Sequence, residues 1–137
     1  MRTSPTILLM TSDPVVRSVI RDALENGGYT VVAVGDLGSA VDRLKELTPD
    51  LLIIRSYVEG IPGYDAATFL RTRSPGLNVL MVGGLIDDDR LLYRMSLEGF
   101  EVFPKPYPAA TLLAKVKEVL ERAHRPAIAV NEPTSPG

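Results

Sequence analysis

Short apolar runs alternate with amphipathic segments along the chain, and the two spacings predict strands and helices in turn. Ile7-Leu8-Leu9-Met10 reads as a buried strand. Asp13-Pro14 marks a helix start, with Asp13 as cap and Pro14 in the first turn. Val15, Val16, Val19, Ile20, Ala23 and Leu24 then form one apolar stripe at helical spacing, which Gly27-Gly28 ends. Tyr29 to Val34 is a second strand, Asp36 a second cap, and Ala40, Val41, Leu44 and Leu47 the buried face of a helix ending before Pro49. Leu51-Leu52-Ile53-Ile54 is the most continuous apolar run, as a central strand covered on both faces requires, and it ends at Arg55.

A loop with Gly60, Pro62 and Gly63 leads into a third helix through Phe69 and Leu70, closed by the turn Ser74-Pro75-Gly76. Leu77 to Val82 reads as strand four, Asp87 to Glu98 as helix four and Val102-Phe103 as a short fifth strand. The last helix is Pro108 to Ala123, with Leu112, Leu113, Val116, Val119 and Leu120 inward. Beyond His124, three prolines in a short stretch cannot continue a helix, so 125–137 is expected to be a disordered, Pro-rich tail behind a single domain over 1–124.

Five strand–helix units with short connections predict an α/β class, with a doubly wound parallel sheet flanked by five helices. Ligands of such folds bind at the carboxyl ends of the strands. That edge carries Thr11, Ser12, Asp13, Arg55, Ser56, Gly83, Gly84, Pro104 and Lys105. Composition narrows the function. At 137 residues and 45% apolar the chain can bury one real core. Its net charge of −2 argues against a nucleic-acid or membrane partner, and the lack of cysteine removes disulfides and thiolate chemistry. With only a few residues before the first apolar run, a signal peptide or a membrane span is not expected there, and the cytoplasm is the default location.

Several motifs together resemble the receiver domain of bacterial response regulators: Ile7 to Met10 followed by Asp13-Pro14-Val15-Val16-Arg17, Pro49-Asp50-Leu51-Leu52-Ile53-Ile54, Gly63 eight residues after Arg55, and Lys105-Pro106-Tyr107. The resemblance covers about Thr6 to Ala123. It implies a flavodoxin-like sheet of order 2-1-3-4-5, a cis Lys105-Pro106 bond, and a role in two-component or phosphorelay signalling. It also implies a chemistry, in which an aspartate ending strand three takes a phosphoryl group. Two acidic residues after strand one hold Mg²⁺, a Thr or Ser follows strand four, and a lysine follows strand five, because a carboxylate attacks a polyanion only when a cation neutralises both.

On that register Arg55 stands at the nucleophile position, Thr11 and Ser12 at the acidic pair and Gly83 at the hydroxyl position, while Lys105 is kept. Neighbouring carboxylates do not rescue the site. Asp50 lies at the other end of its strand, Asp13 follows the pair, and Glu59 falls in the loop. A guanidinium has no nucleophilic oxygen, so loss of phosphorylation and of Mg²⁺ binding is expected. At about 5 Å from Lys105 and an effective dielectric near 20, repulsion would be about 3 kcal/mol, so Arg55 needs relief. Either it pairs with Asp13 or another carboxylate or turns outward, or it joins Lys105, Thr11 and Ser12 in an anion pocket.

Asp87-Asp88-Asp89 reads as a helix cap rather than a metal cluster, and His124 as a solvated residue at a helix end. Tyr93, Phe100, Val102, Phe103 and Tyr107 form a candidate partner face, with Val102 or Phe103 at the family's switch-aromatic position. No catalytic constellation is apparent, so an enzyme is not expected. The leading expectation is a phosphorylation-independent receiver acting by protein contact with a histidine kinase or an output protein, as a monomer or weak homodimer. The alternatives are a conventional receiver with a displaced acceptor, or a small-molecule or anion binder using the Arg55/Lys105 edge.

Overall fold

A computed structural model describes residues 5–55, 57–58, 61–82, 89–103 and 109–123. Five parallel strands form one sheet: β1 (Thr6–Met10), β2 (Thr30–Val34), β3 (Leu51–Arg55), β6 (Asn78–Val82) and β7 (Phe100–Phe103). Their order is β2-β1-β3-β6-β7, which places β3 at the centre as its unbroken apolar run requires. Two short strands, β4 (Tyr57–Val58) and β5 (Ile61–Pro62), form a separate antiparallel ribbon after β3. The sequence reads as a loop there because Gly60 and Pro62 break the pattern. The helices are α1 (Pro14–Asn26), α2 (Leu37–Leu44), α3 (Gly63–Arg73), α4 (Asp89–Leu97) and α5 (Ala109–Ala123).

Alternation along the strands splits the core into two layers. Ile7, Leu9, Leu51, Ile53, Leu80 and Val82 face α1 and α5, packing on Ile20, Leu24, Leu112, Val116, Val119 and Leu120. Leu8, Met10, Leu52, Ile54, Val79 and Met81 face α2, α3 and α4, on Ala40, Ala66, Ala67, Leu70 and Met95. All four apolar residues of β3 are fully buried.

The caps read at Asp13 and Asp36 form. The Asp13 carboxylate accepts from the Val15 and Val16 amides at 2.9 and 3.3 Å, and that of Asp36 from the Ser39 amide at 2.7 Å. The Ser39 contacts hold the Asp36 carboxyl below its ordinary pKa.

Two expectations change. The α1 stripe is narrower than its sequence suggests: Ile20 and Leu24 are buried, whereas Val15 and Val19 are 70% and 62% exposed. Each lies one position, about 100°, round the helix from the inward row of half-buried Val16 and buried Ile20 and Leu24. Strand β7 starts two residues earlier than predicted, at Phe100. Glu101 interrupts the apolar pattern but pairs with Lys115 at 3.0 Å and with Arg122 at 2.7 Å, both on α5. Helix α4 is described from Asp89. Asp87, Asp88, His124, the 125–137 tail and the Lys105-Pro106 bond lie outside the described residues.

Candidate functional site

The carboxyl ends of β1 and β3 bring Thr11 and Arg55 side by side. Met10 is paired with Ile54 in the parallel ladder, so the next residues, Thr11 and Arg55, occupy adjacent positions. On its other side Arg55 is paired with Val82 of β6, which is paired in turn with Phe103 of β7. Gly83, Lys105 and Tyr107 of the predicted site lie outside the described residues.

Thr11 is 1% exposed. Its amide donates to the Val34 carbonyl at 3.2 Å, extending the β1–β2 ladder by one bond, and its hydroxyl accepts from the Asp13 amide at 3.2 Å. The Arg17 guanidinium donates to the Thr11 carbonyl at 2.9 Å. That path runs over Gly35, where a Cβ would meet Arg17 Nη1 at 2.8 Å. Gly35 therefore keeps room for an arginine across the ends of β1 and β2. Sequence reading overlooked this pair, whose only signal is a glycine directly after a strand.

Ser12 and Asp13 are exposed. Asp13 does not pair with Arg55, because its carboxylate is spent on the start of α1. Arg55 is half-buried, and no carboxylate of any described residue lies within ion-pair distance of it. Asp50 sits at the opposite end of β3, where its carboxylate accepts from the Thr6 amide at 2.8 Å and its carbonyl from the Asn78 side chain at 3.1 Å. It ties β3 to β1 and β6 at the amino end of the strands, away from Arg55. Among the described residues no group of three or more acidic or histidine side chains could hold a metal ion.

The candidate partner face is divided. Tyr93 is 67% exposed and Leu97, one turn on, 68%. Val102 and Phe103 are half-buried against opposite core layers. Phe100 is a correction: it is 5% exposed and belongs to the core, edge-on to Tyr64 with ring centroids 5.6 Å apart. A groove of about 590 Å³ between α4, β7 and α5 is lined by Leu92, Val102, Val119 and Arg122 among others. Burial alone would raise the Glu101 carboxyl beneath it, but the bonds and charges of Lys115 and Arg122 outweigh this and hold it below its ordinary pKa.

A five-stranded doubly wound sheet defines a class of proteins that place their site at the carboxyl edge of the strands. The receiver-domain model of response regulators matches residues 7–117, so the chain belongs to the response-regulator receiver family of two-component signalling. It is similar to the DNA-binding response regulator MtrA of Mycolicibacterium smegmatis, 26% identical over 116 residues, 85% of this chain and 50% of that protein. It is equally similar, at 26% over 116 residues, to the transcriptional regulatory protein CseB of Streptomyces avermitilis, of which it covers 49%. The fold is that of a CheY-like receiver domain from Methanospirillum hungatei, with TM-score 0.79, 20% identity and coverage of 88% of this chain and 97% of that one. A two-component response regulator from Clostridium difficile superimposes with TM-score 0.78 at 19% identity, covering 89% of this chain and all of that one.

These relatives correct the expectation of no nucleic-acid partner, since MtrA is named as DNA-binding and CseB as a transcriptional regulator. The chain spans about half the length of these two relatives. Among the described residues no helix is long and apolar enough to cross a membrane.

Proposed function

We propose that this receiver domain signals without an aspartyl phosphate and acts by protein–protein contact. Arg55 carries the reading, since the residue ending the central strand, at the carboxyl edge and in register with Thr11 and Val82, is a cation. A guanidinium offers no oxygen to attack phosphorus. Among the described residues the oxygens near it do not suit Mg²⁺, which is held in octahedral geometry by one or two carboxylates together with waters. The Thr11 hydroxyl is buried and accepts the Asp13 amide, and the Asp13 carboxylate caps α1.

The α4–β7–α5 side supplies a surface for a signalling partner, with exposed Tyr93 and Leu97 beside the groove lined by Val102 and Val119. If the segment serves within a longer regulator of the MtrA or CseB type, contact with its output portion would fall to this domain. Calorimetric titration with Mg²⁺ tests the reading. No saturable heat at millimolar metal is expected, and tight binding contradicts it.

Arg55, half-buried without a carboxylate among the described residues, also favours an anion at this edge. Titration with inorganic phosphate would then give saturable binding that Arg55→Gln abolishes, and binding unchanged in that variant rejects this second reading.

A further inference from the structure

At the opposite edge of the sheet from Arg55, four side chains join α3 to the end of α4 and the start of β7. Tyr64 and Arg71 lie seven residues apart on one face of α3. The Tyr64 hydroxyl donates to Glu98 Oε1 at 2.8 Å, and its ring meets Phe100 edge-on. Arg71 donates through Nη1 to the Glu98 carbonyl at 2.5 Å and through Nε to the Leu77 carbonyl at 3.2 Å. Its guanidinium carbon lies 4.3 Å from the centre of the Phe100 ring. Burial of Arg71 lowers its pKa and Glu98 opposes this, leaving a cation between an aromatic face and two carbonyls.

The corner so held is the one where α4 stops. Gly99 has φ +83°, and the Glu98 and Gly99 amides close the last turn on Arg94, Met95 and Ser96 carbonyls. Among the described side chains of α4 the fully buried one is Met95, near that end, while Leu91 and Leu92 are half-buried.

We propose that the Tyr64–Arg71–Glu98–Phe100 clasp is a positioning device: it fixes the α4–β7 corner from α3, and so sets the geometry of the α4–β7–α5 face independently of the strand edge at Arg55. The role as a partner face rests on the proposed function; the fixing of the corner does not. A partner that engages Tyr93, Leu97 and the groove meets a surface whose base is anchored by α3. Tyr64 and Arg71 act through that corner without touching the partner.

Amide hydrogen exchange on the full chain tests this. Tyr64→Phe combined with Arg71→Lys is expected to speed exchange in peptides spanning 95–103 about tenfold or more, with β1 and β3 peptides unchanged. If that pair does not fold, Tyr64→Phe alone, which keeps the ring on Phe100, is expected to give a several-fold acceleration confined to the same segment. Unchanged exchange in 95–103 overturns the proposal. So does an equal acceleration in every core peptide, because the clasp would then add only to global stability. Either result leaves the partner-face reading standing, since that is judged by partner binding to Tyr93 and Leu97 variants.

Discussion

Neighbouring residues of one type do different work here, and mutation separates them. Ile20 is buried between α1 and the sheet while Val19 beside it stands in solvent. Ile20→Ala is expected to cost about 2–5 kcal/mol by urea denaturation and Val19→Ala about 0.5 kcal/mol or less. Asp13→Ala removes the side-chain cap of α1, at about 1 kcal/mol in the same assay. Glu101 gives a pH signature. Its carboxyl is held below its ordinary pKa by Lys115 and Arg122, so the stabilisation is present above that ordinary value and is lost as pH falls through the depressed one. Glu101→Gln should flatten the acid limb of the melting temperature against pH. An unchanged acid limb would mean that the two ion pairs contribute nothing.

Elements whose apolar pattern agreed with their packing were legible. The runs Ile7–Met10 and Leu51–Ile54 gave β1 and β3 because both their faces are covered, and Asp13 and Asp36 marked helix starts because each cap is a local bond. What could not be read depended on distant partners. The β4–β5 ribbon pairs across a Gly–Pro loop, β7 opens on a residue whose ring is sealed by α3, and the Arg17–Gly35 contact joins a helix to a strand end. At the candidate site, sequence placed Arg55 at the end of the central strand. The absence of an Arg55–Asp13 pair came only from geometry, because one carboxylate had two competing uses. The end of α4 offers an element-scale check. Gly99→Ala places a Cβ at φ +83°, with its nearest neighbour at an ordinary 4.0 Å from Arg71 Nη2. The expected cost is therefore the backbone term, about 1–2 kcal/mol, read from the urea midpoint.

Across the whole molecule, a receiver scaffold carries a cation, Arg55, at the carboxyl end of its central strand. The sheet order, the two core layers and the family match place the chain among response-regulator receivers, while the edge presents Arg55 beside a buried Thr11. The far corner is tied by α3 through Arg71 and Tyr64. In this account the domain carries a signal by being bound, with its output face set by packing. The central claim is that no aspartyl phosphate forms, and intact-mass measurement after incubation with a small phosphodonor and Mg²⁺ tests it most directly. The account predicts an unchanged mass. A stable added phosphoryl group, resistant to acid and removed by base, would contradict it and point to a displaced carboxylate acceptor.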